Sequence, residues 1–178
     1  TKLILYTATG TKSILGDVEL WPVLTKSNWE KLESIQTATI KKFMGLPVTT
    51  SSWEVLAETG IWPITATIEN RRLMIMHKLI NGKDRLAKHI LDSQMKREYE
   101  EDSWYSRTIE IANKLELSME LKGMPKSEWK RRIKKATTKA IQDEVEKEIK
   151  TKKKQRFLTS FKEKGVIPYE ITEIFKSA

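Results

Sequence analysis

Basic side chains recur at helical spacing in one segment of the chain. Arg131, Lys135 and Lys139 follow i, i+4 and i+8, so a helix would space them by about 6 Å along one side, comparable to successive phosphates on a strand. Such a row can neutralise phosphates and release counterions, which gives affinity for a nucleic-acid backbone without sequence preference. The residues that we predict to bind nucleic acid are Lys130, Arg131, Arg132, Lys134, Lys135, Lys139, Lys150, Lys152, Lys153, Lys154 and Arg156.

The excess positive charge of the chain is confined to this segment. Residues 126–164 contain 15 Lys or Arg and 6 Asp or Glu, an excess that equals the formal net charge of +9 of the 178-residue chain. A basic stripe on a neutral body is typical of a protein that binds nucleic acid or an anionic surface. A solvated lysine-rich helix is the alternative reading of such a run. Residues 153–156 also fit a loose nuclear-import pattern.

Residues suited to catalysis are scarce. The chain has no cysteine, which excludes disulfides and Cys-based zinc sites. Its two histidines, His77 and His89, fall on different predicted helices, and no G-x-S-x-G, Walker or G-x-G-x-x-G motif occurs. The carboxylates between Glu98 and Asp102 could serve two-metal chemistry only if they converged, and helix capping explains them better. We therefore expect no catalytic residue, no metal site and no cofactor, and we favour a chain that is not an enzyme by itself.

Capping signals and periodicity predict an all-α fold, an irregular multi-helix bundle with a long basic helix. S-x-x-E capping boxes at Ser27 to Glu30 and Ser51 to Glu54 indicate two helix starts, and Gly45 and Gly60 indicate the corresponding ends. The spacing of apolar residues in the first helix, which is expected to run to about Met44, predicts one buried face. That face would contain Trp29, Leu32, Ile35, Thr39 and Phe43.

Three further helices are predicted before residue 122. Pro63 precedes a helix over about residues 64–80, Asp84 caps a helix with Leu86, Ile90 and Leu91, and Asp102 or Ser103 caps a third. The first of these has its apolar stripe at Ile64, Ile68, Ile75, Leu79 and Ile80, widened by Leu73, Met74 and Met76. The six tryptophans could serve as core residues or as platforms for base stacking. The four on or near apolar faces are expected in the core, and the choice between these roles is left open for the other two, each of which is followed by a proline. The first group is Trp29, Trp53, Trp104 and Trp129, and the second is Trp21 and Trp62.

The longest predicted helix covers about residues 126–153, after Pro125, which suits a first helical turn. Trp129, Ile133, Ala136 and Ala140 lie within about 60° on it. Four basic residues lie on the far side: Arg131, Arg132, Lys135 and Lys139. Two short helices, at about 155–164 and 169–176, would follow, and Phe157, Leu158 and Phe161 give the first an apolar edge. We accordingly divide the chain into a helical body, 1–122, and a basic part, 123–178, packed on it.

No segment is suited to a membrane. The opening TKLILYTATG is too short for a signal-peptide core, and no run approaches the roughly 18 apolar residues that a spanning helix needs. We expect a soluble, intracellular protein without a membrane partner.

Several short motifs, in chain order, resemble the region that follows the polymerase palm in reverse transcriptases of non-LTR, LINE-like retrotransposons. The basic part resembles the linker that precedes a Cys/His knuckle in lineages with a restriction-like endonuclease, beginning with K-S-x-W-K at residues 126–130. Departures exist: Leu15 stands where the family has a tyrosine, one extra residue separates Gly16 from Glu19, and the catalytic Asp-Asp pair is absent. The motifs of the first part are GDVELW (16–21), KLESIQ (31–36), GLP (45–47), ETGIWPI (58–64) and RRLMIMHKL (71–79).

The resemblance implies a thumb and linker, which is a helical body beside the palm that grips template RNA or an RNA·DNA or DNA duplex. Its partners would be RNA or DNA and the remainder of a reverse transcriptase polypeptide, and its location would be nuclear. A structural or protein-interaction module whose basic face meets an acidic partner is the alternative from another class. An unrecognised hydrolase that uses His77 or His89 is a third reading.

Overall fold

The computed structural model describes residues 15–21, 25–96 and 103–151. In these ranges it contains a short 3-10 helix, Val18–Leu20, and six α-helices, with no strand, so the all-α prediction is confirmed. The predicted helices at 155–164 and 169–176, the edge formed by Phe157, Leu158 and Phe161, and the acidic cluster lie outside the described residues. The α-helices are α1 (Lys26–Met44), α2 (Ser52–Thr59), α3 (Ile64–Asn81), α4 (Arg85–Lys96), α5 (Trp104–Lys114) and α6 (Lys126–Thr151).

Local capping chemistry determines most helix ends. The capping box of Ser51 and Glu54 is present, with the Ser51 amide donating to Glu54 Oε2 at 3.2 Å. The box predicted at Ser27 is wrong, because Thr25 caps α1 two residues earlier and its Oγ1 accepts from the Asn28 amide at 3.3 Å. Ser27 therefore lies inside the first turn, and Glu30 pairs with Lys26 at 4.0 Å instead.

The glycine stops and the two later caps also follow the sequence. Gly45 and Gly60 end α1 and α2 in the left-handed conformation, with φ of 68° and 64°, which costs glycine little because it has no Cβ. Asp84 Oδ1 accepts from the Leu86 amide at 2.9 Å, and Ser103 Oγ accepts from the Ser106 amide at 3.0 Å.

The buried face of α1 is rotated from the predicted one. Ile35 and Phe43 are 50% and 40% exposed, whereas Ile40 and the polar Gln36 and Thr37 are buried. The cause is a contact with the start of α3: Gln36 Nε2 donates to the Trp62 carbonyl at 2.9 Å, and its Oε1 accepts from the Ile64 amide at 2.8 Å. An amide that satisfies two backbone groups takes the inward position that an apolar residue was expected to occupy.

Helix α3 is central to the fold. It contacts the 3-10 helix and α1, α4, α5 and α6. Ile64 and Ile68 are buried as predicted, and Leu73 and Met76, which were also assigned to the stripe, fill the main core further along the helix. Ile75 is only half-buried and belongs to none of the three apolar clusters of the described residues.

The four tryptophans expected in the core all pack against an apolar cluster. Trp129 is fully buried, and its Nε1 donates to the Leu73 carbonyl at 3.0 Å. Trp104 is partly buried, and its Nε1 donates to the Glu19 carbonyl at 2.8 Å. Trp129 thus joins α6 to α3 in one core, so residues on both sides of the 122/123 division share it.

Candidate nucleic-acid interface

The segment that leads into α6 is bound to α3 by polar side chains. Asn81 Nδ2 donates to the Leu121 carbonyl and Asn81 Oδ1 accepts from the Gly123 amide, both at 2.8 Å. His77, which is buried, places Nε2 2.8 Å from the Met124 carbonyl. The position at which α6 begins is therefore determined by α3.

The inward face of α6 is the one that the sequence predicts. Trp129 and Ile133 are buried, and Ala136 and Ala140 pack against the same cluster. Thr137 adds a hydrogen bond from Oγ1 to Asn70 Oδ1 of α3 at 2.7 Å. Because these contacts fix the rotation of α6 about its axis, its basic residues are displayed in a constant direction.

Six of the predicted binding residues lie on α6 within the described region. All are exposed except Lys134, which is partly buried. The structure places Lys150 in α6 without describing its side chain, and the remaining four predicted residues lie outside the described residues. The six are Lys130, Arg131, Arg132, Lys134, Lys135 and Lys139.

Two of these six cations have carboxylate partners. Arg132 Nε lies 3.1 Å from Glu128 Oε1 one turn earlier, and Lys139 Nζ lies 3.6 Å from Glu116 Oε2. The side chains of Lys139 and Glu116 are 70% and 82% exposed. Ion pairs between exposed side chains contribute only about 0 to 1 kcal/mol to stability. Lys139 is therefore easily released to another anion.

The other four cations, Lys130, Arg131, Lys134 and Lys135, form no ion pair with any described residue. Arg131, Lys134 and Lys135 border an open groove of about 710 Å³ between α6 and the turn after α5, where Leu115 lies. Close like charges repel one another, so this cluster favours the approach of an anion.

The basic surface is bounded along α6. Beyond Lys139 the helix presents Asp143 and Glu144, both exposed. Counting charges in the sequence gives the net positive charge of residues 126–164. It does not show that Asp143 and Glu144 separate the first basic cluster from Lys150. The described basic surface is thus concentrated in the first half of α6.

The described residues contain no group of three His, Cys, Asp or Glu side chains placed to hold a metal ion. His77 is occupied with the Met124 carbonyl, and His89 is exposed on α4. Within the same residues, no helix is long and apolar enough to cross a membrane.

The structure also adds groove residues that the sequence reasoning did not select. Trp62 and Arg71 line a second groove, of about 450 Å³, between α3 and α6, together with Lys130 and Lys134. Arg71 is paired with Glu19 at 3.5 Å. The Trp-Pro dipeptide at 62 and 63, outside the periodic helices, is the sequence signal that could have indicated this place.

Comparison with known proteins assigns neither a family nor a function to the basic surface of α6. No family model matches the chain, and neither a curated protein nor a solved structure matches it. We therefore infer a function from the geometry and charge of the residues themselves.

Proposed function

We propose that the chain is a non-catalytic nucleic-acid-binding helical module that grips the backbone of RNA or DNA with the first half of α6. The observation that carries the proposal is the cluster of Lys130, Arg131, Lys134 and Lys135, which have no ion-pair partner among the described residues. Such a cluster brings self-repulsion to the folded chain, and a row of phosphates would relieve it.

The attachment of α6 supports the same proposal. Trp129 and Thr137 fix the helix to α3 through hydrogen bonds of 3.0 and 2.7 Å. The backbone that carries the cations is therefore ordered before binding, and only the side chains lose freedom. Such preorganisation reduces the entropic cost of association.

The resemblance of the motifs to the thumb and linker of non-LTR retrotransposon reverse transcriptases supports a specific form of the proposal. In that form the ligand is template RNA or an RNA·DNA or DNA duplex. The remainder of a reverse transcriptase polypeptide would be a partner, and the protein would act in the nucleus.

The salt dependence of binding tests the proposal. We expect the affinity for an RNA·DNA duplex to fall steeply between about 50 and 200 mM salt, with a log–log slope near −0.9 for each phosphate contacted. Four contacts predict a slope of about −3.6. A flat slope would contradict the proposal.

Charge reversal locates the interface. Arg131→Glu combined with Lys135→Glu should weaken binding by about tenfold or more, because two phosphate contacts become repulsive. Lys26→Glu combined with Lys31→Glu changes the net charge equally on α1, where both residues are exposed, and should have a much smaller effect. Equal losses would mean that only net charge matters, and strong binding to an acidic protein without nucleic-acid binding would favour the protein-interaction alternative.

A further inference from the structure

The groove between α3 and α6 combines an aromatic ring, an apolar floor and a basic rim. Trp62, Met74 and Ile75 line it from one side, and Lys130 and Lys134 line it from α6. Its volume of about 450 Å³ lies within the range of about 300 to 1,000 Å³ that is usual for small-ligand pockets.

Two of the apolar residues have no evident role in the core. Trp62 and Ile75 are only partly buried, and neither belongs to the three apolar clusters of the described residues. The backbone of Trp62 is nevertheless held in place, since Gln36 bonds to its carbonyl and to the Ile64 amide. A large aromatic residue thus borders an open groove from a fixed backbone position.

The charge of the rim indicates the ligand. Lys130 and Lys134 form no ion pair with a described residue and belong to the basic surface of α6. An aromatic platform beside a cationic track is the arrangement that proteins use for single-stranded nucleic acid, because an unpaired base exposes its ring face. In a blunt duplex the interior base faces are covered by their neighbours.

We propose that this groove takes up one unpaired nucleotide of the strand held by α6. The base stacks on Trp62 above Ile75 and Met74, and the flanking phosphates lie against Lys130 and Lys134. This inference rests on the proposed function and sharpens its ligand, from any nucleic-acid backbone to a strand with an unpaired stretch.

The test compares two ligands on the full chain: a short blunt duplex, and a duplex with a single-stranded overhang and the same number of phosphates. We expect the overhang ligand to bind at least about fivefold more tightly, as stacking of one base predicts. Overhangs of RNA and of DNA are measured separately, and a preference for either or both supports the proposal.

A matched pair of variants connects the preference to the groove. Trp62→Leu should abolish the preference, because it removes the ring on which the unpaired base of the overhang stacks. Trp21→Leu is the control, because Trp21 is also followed by a proline and is 52% exposed, but it does not line this groove. That variant should keep the preference, and equal losses in the two variants would overturn the inference.

A measurement on the unmodified chain covers the possibility that Trp62→Leu does not fold. A 4-thiouridine in the overhang should photocross-link to the peptide that contains Trp62 or the one that contains Ile75, and a cross-link confined to other peptides would overturn the inference. Equal affinity for blunt and overhang ligands with a steep salt slope would overturn the groove alone. A flat salt slope with both ligands would overturn the proposed function as well.

Discussion

At the scale of single residues, the least expected feature is the burial of the charged side chain of Arg72. Its guanidinium is buried in α3 and donates to the Trp21 and Trp104 carbonyls at 3.0 and 3.1 Å, while lying 5.5 Å from the centre of the Trp104 ring. Burial, and secondly the charge of Arg107, lowers its pKa to about 10, although Glu69 acts in the opposite direction. The group is charged at neutral pH, so its hydrogen bonds must offset the cost of burying that charge.

The contribution of Arg72 can be measured with Arg72→Met, which keeps a long side chain and removes both donors. We expect the free energy of unfolding to fall by about 1 to 3 kcal/mol, because two carbonyls lose charged donors. Chemical denaturation gives this value. Arg71→Met, which removes the partly exposed pair with Glu19, should cost less than about 1 kcal/mol. If Arg72→Met is as stable as the wild type, the cost of burying the charge cancels its hydrogen bonds.

At the scale of elements, most local capping signals were predictable from the sequence, with the start of α1 as the exception, and long-range contacts were not. The caps at Ser51, Asp84 and Ser103 involve neighbours within three residues, so the sequence contains everything that they need. The rotation of α1 depends on Gln36 and Trp62, which are 26 residues apart. A helical wheel cannot include such a partner, and it therefore placed Ile35 inward.

The rotation of α1 predicts unequal costs for two isoleucines on the same helix. Ile40→Ala should lower the free energy of unfolding by about 2 to 4 kcal/mol, since Ile40 is fully buried and its loss leaves a cavity. Ile35→Ala should change it by less than about 1 kcal/mol, because that side chain is 50% exposed. Denaturant titration of both variants checks the difference, and a larger cost at Ile35 would restore the face predicted from the sequence.

The basic surface of α6 shows the same division between local and long-range information. Its charge and docked face follow from composition and from the spacing of Trp129 and Ile133 within one helix. The pair between Lys139 and Glu116 required the turn after α5 to approach α6, and the groove at Trp62 required the approach of α3. Neither the ion pair nor the groove could be predicted from residues that are close together in the sequence.

The pair between Lys139 and Glu116 yields a prediction of its own. Glu116 has a left-handed backbone, with φ of 54°, which asparagine adopts more readily than most residues. Glu116→Asn should therefore keep the fold and release Lys139 to a phosphate, making the log–log salt slope steeper by up to about 0.9.

The control for that variant is Glu120→Asn, which changes the net charge equally. Glu120 is exposed and has no ion pair with any described residue. Its replacement should leave the slope unchanged. An equal steepening in both variants would attribute the effect to net charge and not to Lys139.

At the scale of the whole molecule, the chain joins a neutral helical body to a basic segment through one core. Leu73 of α3 and Trp129 of α6 belong to the same cluster, whereas the whole net charge of +9 lies in residues 126–164. Folding of the body therefore orients the charge. Within that segment the exposed Asp143 and Glu144 separate the cluster on α6 from the basic residues beyond it, so two parts of the segment could contact phosphates.

The two parts can be separated by their salt slopes. Lys152, Lys153, Lys154 and Arg156 lie outside the described residues, and replacing all four by Gln removes their charge without reversing it. If each contacts a phosphate, the magnitude of the slope should fall by about 0.9 per residue, and the loss should add to that of a variant in which Arg131 and Lys135 are replaced by Gln.

The control removes four charges from exposed lysines of the neutral body: Lys26, Lys31, Lys42 and Lys83. Slopes measured by fluorescence anisotropy over a salt series decide the matter, because an unchanged slope in the first variant would confine binding to α6.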